Sequence, residues 1–329
     1  MRPTQPIRLL AAVLAAALTL AGCGAAPSAA SSVSAASASA PASAASDAAF
    51  STGDASLDDP RNQDGIGESE LLVVSFGTSY NDSRRLAIGG VESALAAACP
   101  DWSVRRAFTS QIILDKVAAR DGVTMDNVEQ ALERAADNGV KTLVVQPTHL
   151  MDGLEYGDLV EAVANYADAF DRVAVGAPLL SSDADFAAVA KAVAEATADQ
   201  DDGRTAIVLM GHGTTAASNS VYARLQETFA EAGYAHYYVG TVEGTPTLDD
   251  VLARVQAGGY EKVVLRPLMV VAGDHAVNDM AGDEPDSWKS AFTAAGYQVE
   301  CQLTGLGELE AVQQLYADHA RAAMESLPA

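Results

Sequence analysis

Positive charge is what this chain has least of. Its 329 residues carry 20 lysines and arginines against 44 aspartates and glutamates, a formal net charge of −24. Nothing on such a surface can neutralise a phosphate backbone, which excludes nucleic acid as a partner. The acidic surface favours solubility and draws cations, so an anionic ligand would need a local basic pocket. Cysteine is also scarce, with three in the chain. That excludes a disulfide framework and leaves open a single bridge between Cys99 and Cys301. Histidine is rare too, with five, so the place of each one carries information.

The apolar run Leu9–Leu20 falls short of the ~20 residues that a membrane span needs. It follows Arg2 and Arg8 and leads into Leu20-Ala21-Gly22-Cys23. A charged start, a short apolar stretch and small residues before a cut read as a secretory signal over residues 1–23. The tetrapeptide resembles a bacterial lipobox, whose cysteine is lipidated and becomes the mature N-terminus. That resemblance implies an exported chain, anchored to the membrane through lipid on Cys23 on its periplasmic or cell-surface side. Residues 24–69 then read as a disordered tether. From Gly24 to about Asp64 the chain is rich in alanine, serine and proline and has almost no large apolar side chain, so it cannot bury a core.

From about Glu70 the pattern changes. Short apolar β-branched runs recur at Leu71–Val74, Val104–Phe108, Thr142–Val145, Val173–Gly176, Ala206–Met210, Tyr237–Gly240, Lys262–Leu265 and Tyr297–Leu303. Between them apolar residues return at helical spacing, as in Ile88, Val91 and Leu95, or Val221, Leu225 and Phe229. Alternating strands and helices predict an α/β fold with parallel sheets flanked by helices. The order also repeats. Ser75-Phe76-Gly77-Thr78 stands where Gly211-His212-Gly213-Thr214 stands later, and Pro147 where Pro267 stands. Two halves, residues 70–200 and 201–329, with a cleft between them, are expected.

The chemistry gathers in the second half. His212, Glu243 and His275 each follow one of three successive strands. The loops after parallel strands emerge at one edge of the sheet, so these side chains can converge. Two imidazoles and a carboxylate suit a borderline divalent cation and leave positions open for a substrate. The first half has Phe76 where His212 stands, which argues against a matching second metal site. His149 and Glu155 follow its third strand; they can serve as second-site or proton-handling groups in the same cleft, or be structural. Arg84, Arg85, Arg105, Arg106 and Arg266 stand out in so acidic a chain. With the helix starts at Thr78-Ser79 and Thr214-Thr215 they are the candidate anchors for a polycarboxylate. His236 and His319 read as surface or packing residues.

Residues SFGTSY from Ser75, RAFTS at Arg106–Ser110, GHG at Gly211–Gly213, PLMVVAGDHAVNDMAGD at Pro267–Asp283, DSW at Asp286–Trp288 and GLGE at Gly305–Glu308 resemble the anaerobic sirohydrochlorin cobaltochelatases. These are class II chelatases with a ferrochelatase-like fold. The resemblance runs from about Glu70 to the C-terminus. It implies two Rossmann-like halves and insertion of Co²⁺, or Fe²⁺ or another divalent ion, into a tetrapyrrole polycarboxylate without a nucleotide. The ion would be held by His212, Glu243 and His275, with His212 first and His275 second as acceptor of the pyrrole protons. Thr78, Ser79, Arg84, Arg85, His149 and Glu155 would face the tetrapyrrole. The last helix would pack back on the first half, and a homo-oligomer stays open. The rival expectation is an exported metal- or haem-binding lipoprotein without turnover.

Overall fold

The apolar runs become parallel strands in the computed structural model, which describes residues 52–328. The signal segment, Cys23 and the tether up to residue 51 lie outside the described residues. In the first half the strands are β1 (Ser69–Ser75), β2 (Ser103–Phe108), the two-residue β3 (Asp126–Asn127), β4 (Thr142–Pro147) and β5 (Arg172–Val175). In the second they are β6 (Thr205–Gly211), β7 (Tyr237–Thr241), β8 (Lys262–Pro267) and β9 (Gln298–Cys301). Every pairing is parallel. The central strands read as continuous apolar runs because a parallel sheet is covered on both faces.

Sheet order bears out the repeat. The first sheet runs β3-β2-β1-β4-β5 and the second β7-β6-β8-β9. Without the short edge strand β3 the two orders are the same. In each, the first strand of the half lies at the centre, with its successors laid down first on one side and then on the other. The chain reverses direction of travel between β1 and β4, and again between β6 and β8. Ligands bind in α/β sheets at such switch points, outside the carboxyl ends of the strands.

Helices fill the crossovers. After β1 come α1 (Asn81–Ser83), a π-helical turn (Arg84–Ile88) and α2 (Gly89–Ala98), then α3 (Gln111–Asp121), α4 (Val128–Asp137), α5 (Leu154–Asn165) and α6 (Asp183–Ala196). The second half adds α7 (Ser220–Glu231), α8 (Leu248–Gly258), α9 (Trp288–Ala294) and α10 (Glu310–Glu325). Capping boxes start α4 at Asn127, α6 at Ser182 and α8 at Thr247, each satisfying backbone N–H groups that the helix cannot. Among the described residues no helix is long and apolar enough to cross a membrane.

The largest core belongs to neither half alone. Leu71 and Val73 of β1, Ile207 and Leu209 of β6, Phe186 and Val193 of α6, and Tyr316 and Ala320 of α10 form one buried cluster. The last helix does pack back on the first half, where the Tyr316 hydroxyl donates to the Thr148 carbonyl at 2.8 Å. His319 on the same helix contacts the Ala177 carbonyl and Asp185, and His236 pairs with Asp201. Both are packing residues, as expected. Cys99 and Cys301 are free, one in the shared core and the other against the core of the second sheet.

One expectation needs correction. Residues 52–69 are not a tether. A 3₁₀ turn at Ala55–Leu57 leads to Asp58, whose carboxylate lies 2.7 Å from both Arg84 Nε and Arg106 Nη1. Arg61 reaches Glu92 at 3.2 Å, Asn62 donates to the Thr124 carbonyl, and Ile66 packs on the first sheet's outer core. The segment holds few apolar residues, yet it packs because buried arginines call for its carboxylate.

Candidate metal centre

Three loops bring the expected trio together. His212, Glu243 and His275 each present a ligand atom, and these atoms lie within 4.8 Å of one another. The two imidazole rings meet edge to face with centroids 4.7 Å apart. His212 and Glu243 are exposed and His275 is half-buried, so an ion can arrive from solvent. Among the described residues this is the one His/Cys/Asp/Glu cluster with metal-site spacing.

Glycine allows the first two loops to meet. At Gly213 the backbone has φ +87, and an added Cβ would stand 2.5 Å from the Gly244 nitrogen. Only glycine accepts both that torsion and that approach. The close contact lets the Glu243 N–H donate to the His212 carbonyl at 2.8 Å. Asn219 fastens the same pair of loops, accepting from the Thr214 N–H and donating to the Thr245 carbonyl. Beneath them the Tyr222 hydroxyl accepts from the Gly213 N–H at 3.1 Å, and its ring fills the space that a Cβ on Gly211 would take.

The hydrogen bonds fix which nitrogen of each ring is left for an ion. His212 Nδ1 lies 2.8 Å from the Gly213 carbonyl, which can only accept, so Nδ1 carries the proton and Nε2 keeps its lone pair. His275 Nδ1 donates to Asp279 Oδ2 at 2.7 Å, which likewise leaves Nε2 for a metal. A carboxylate behind a ligand histidine orients the ring and raises its basicity. That hydrogen bond to Asp279 outweighs burial and holds the His275 pKa above its ordinary value.

Both histidines line a cleft of about 440 Å³ whose walls come from both halves. The first half contributes the turn Ser75–Tyr80 and the loop around His149 and Glu155; the second contributes Met269 to Val271 as well as the histidines. Glu243 is not among the lining residues. Phe76 is exposed in this cleft at 47%, an apolar face where the second half has His212. His149 lies nine-tenths buried, with neither ring nitrogen hydrogen-bonded and Nε2 3.7 Å from Glu155. Burial pushes its pKa down to about 4, so it stays neutral in ordinary buffers. Burial raises the Glu155 carboxyl, and the nearby His212 works against that rise.

Of the other expected contacts, Thr78 and Ser79 line the cleft and the arginines do not. Arg84 is wholly buried, held by Asp58 and donating to the Thr78 carbonyl at 3.3 Å. Arg85 points away to Asp82. Arg105 pairs with Asp126, and Arg106 makes two 2.7 Å bonds to Glu92 besides its contact with Asp58. Arg266 is buried and off the cleft. Arg84, Arg105 and Arg106 answer buried carboxylates, Arg85 pairs at the surface, and none of the five lines the cleft. Thr214-Thr215 does not start a helix either, since α7 begins at Ser220 after a 3₁₀ turn. Sequence reasoning missed Asp279, although its place four residues after His275 puts it one helical turn away. It missed Asn219 and Tyr222, which carry no local signal.

Comparison with known proteins gives a concordant picture. A family model described as cobalt chelatase (CbiK) matches residues 69–325. The sirohydrochlorin cobaltochelatase of Salmonella typhimurium is 39% identical over 254 residues, covering 77% of this chain and 96% of that protein. The sirohydrochlorin cobaltochelatase CbiKC of Nitratidesulfovibrio vulgaris is 36% identical over 262 residues, covering 78% and 91%. Among solved structures, SirB from Bacillus subtilis with Fe³⁺ matches with a TM-score of 0.57 at 15% identity, over 78% of this chain and 96% of that one. A multi-domain protein of Deinococcus radiodurans, described as similar to chelatases, matches with a TM-score of 0.51 at 17% identity, over 77% and 55%. The two structural likenesses speak to the fold alone.

Proposed function

This chain belongs to the cobalt chelatase (CbiK) family, and we propose that it inserts Co²⁺ into sirohydrochlorin or a closely related tetrapyrrole polycarboxylate. The observation that carries the reading is the convergence of two free Nε2 lone pairs and a carboxylate beside an apolar cleft. The ion is the substrate. His212, Glu243 and His275 hold it, and the macrocycle lies in the cleft against Phe76 and the Met269–Val271 segment. No lysine or arginine lines the cleft, so ring carboxylates face the hydroxyls of Thr78 and Ser79, His149, or solvent.

Insertion replaces two pyrrole N–H protons by the ion, so a base must accept them. The lone pairs that release the ion are the groups freed at that moment. His212 and His275 are the acceptors, and the Asp279 carboxylate raises the proton affinity of His275. Glu155, whose carboxyl burial raises, stands by to pass protons outward beside His149.

Purified protein mixed with sirohydrochlorin and Co²⁺ tests the reading through the absorption change on metallation. Turnover beyond one equivalent is expected, with His212→Ala inactive and Glu243→Gln weakened in Co²⁺ affinity but folded. Stoichiometric binding without turnover would instead leave a metal- or haem-binding protein. If His212→Ala and His275→Ala both bind Co²⁺ normally and still turn over, the site is elsewhere.

The Leu20–Cys23 tetrapeptide supports a further element of the proposal, that the chain is exported and held at a membrane by lipid on Cys23. Wild type should then fractionate with membranes and Cys23→Ala should be impaired in processing. Equal fractionation of the two would remove that element.

A further inference from the structure

The family match begins at residue 69, yet the residues just before it are wired to the cleft. The Asp58 side chain is 3% exposed and faces Arg84, which is fully buried. Arg84 in turn donates through Nη1 to the Thr78 carbonyl. Two further links run in parallel. The Asn81 amide donates to the Gly53 carbonyl at 3.1 Å, and the Asp82 N–H donates to the Thr52 carbonyl at 2.8 Å. All three end on the segment Thr78–Asp82, whose first residues, Thr78, Ser79 and Tyr80, are a wall of the cleft. Arg120 holds the same wall from α3, donating to the Ser79 carbonyl.

We propose that residues 52–68 are a clamp on the cleft, with Asp58 as the positioning residue that sets the turn Gly77–Tyr80 through Arg84. The proposal rests on the reading of this cleft as the tetrapyrrole site. Asp58 touches neither ion nor macrocycle. Its carboxylate fixes the guanidinium, and the guanidinium fixes the carbonyl of a residue that does line the cleft. The metal trio hangs from β6, β7 and β8, in the other half. Loosening the turn therefore changes how the macrocycle is gripped without changing how the ion is held.

The test uses the full chain. Asp58→Asn keeps the shape and removes the charge; Arg84→Met removes the guanidinium and keeps most of the volume. Each should raise KM for sirohydrochlorin about tenfold, the middle of the range for coupled neighbours, with kcat and Co²⁺ affinity near wild type. Because Asp58 acts through Arg84 and also holds Arg106, the double variant should fall clearly short of additive. Hydrogen exchange should quicken at the amides of residues 77–80 and stay unchanged in β6. Gly53→Val provides an independent variant, because Gly53 has φ +90, a torsion that a β-branched residue adopts only with strain. It should unseat the start of the clamp with no buried charge exposed, and is read in place of Asp58→Asn should that variant not fold.

Unchanged KM and unchanged exchange at residues 77–80 would overturn the proposal. So would additive effects in the double variant, or a parallel loss of kcat, Co²⁺ affinity and protection across the whole chain. If the wild-type protein shows no insertion at all, the functional reading falls, and the exchange measurement still decides the clamp.

Discussion

Gly213→Ala is the sharpest test of how the metal centre is built. The added methyl would meet the Gly244 nitrogen at 2.5 Å, the Thr241 Cβ at 2.8 Å and the Glu243 carbonyl carbon at 3.0 Å. Unstrained contacts sit near 3.5 Å, so the two loops must part by roughly 1 Å. None of the three is a flexible side-chain tip that can swing aside. Alanine at φ +87 adds about 1–2 kcal/mol of backbone strain, and overpacking adds about 1–3 kcal/mol. A loss of ~2–5 kcal/mol in unfolding free energy is therefore expected from denaturant titration. A ligand set works only within about 0.5 Å of its productive geometry, and His212 and Glu243 ride on the two loops that are forced apart. Calorimetric titration should show Co²⁺ affinity reduced about 10–100-fold, the range for lost outer support of a metal site. Gly259→Ala is the control. It has φ +74 with nothing within 4 Å of the new methyl, so it should cost the strain alone and leave Co²⁺ binding untouched. Wild-type affinity in Gly213→Ala, or equal loss in Gly259→Ala, would refute the argument that close loop approach builds the site.

Two further outcomes follow from the same geometry. Metal binding needs neutral imidazole, and the Asp279 hydrogen bond holds His275 protonated to higher pH than usual. Co²⁺ binding and insertion should therefore fall as pH drops through that raised value, and excess Co²⁺ should move the fall lower. Asp279→Asn should also move it lower, while weakening binding at alkaline pH, where proton competition has gone; an unmoved limb would contradict this. The stability linkage has the opposite sign. A histidine raised in the fold stabilises it below the unfolded value and loses that contribution as pH rises through the folded one. His275 by itself therefore does not make denaturation of the metal-free protein track the activity limb. His149 works the other way: burial holds it neutral down to about 4, so the fold loses stability as pH falls from the ordinary histidine value towards 4. Phe76→Ala should leave Co²⁺ stoichiometry unchanged and raise KM for the tetrapyrrole, read by calorimetry and steady-state rates.

Much of this was legible in the sequence because the physics is local. Buried parallel strands need continuous apolar runs, and glycine or proline must end them, so Leu71–Val74 and Ala206–Met210 declare themselves. The metal trio was legible for a topological reason: loops after successive parallel strands share an edge. The arginines misled because an acidic chain makes each cation look like an anion site. A signal was nevertheless present. Arg105 and Arg106 are adjacent in a strand whose flanking residues are apolar, so they point to opposite faces of a sheet covered on both sides. Both must then be buried, and buried guanidinium groups demand carboxylates. Arg105 finds Asp126 and Arg106 finds Glu92 and Asp58. What no local pattern reveals is that Asp58 lies in a stretch resembling a linker. Burial alone would raise its carboxyl, but hydrogen bonds from Arg106 and Arg84 hold it below the usual carboxylate range. A chain cut near Asp64 therefore loses a counter-charge from the core, contrary to what composition suggests.

The two halves share a topology but have divided the work, and the chemistry of insertion explains why. An ion must be held firmly enough to be collected, yet given up to four ring nitrogens. Ligands converging from both walls would enclose it, and the macrocycle could not displace them all. Here the second half brings His212, Glu243 and His275 together, and the first supplies Phe76, an apolar surface suited to the face of a ring. An ion held by that trio would be coordinated from one side only, with its other side open to the cleft. The neutral His149 fits the same division: buried among apolar walls, it offers a hydrogen bond without a charge that would repel the ion. Symmetry in the backbone makes the cleft, and asymmetry in the side chains at its two switch points gives the transfer its direction.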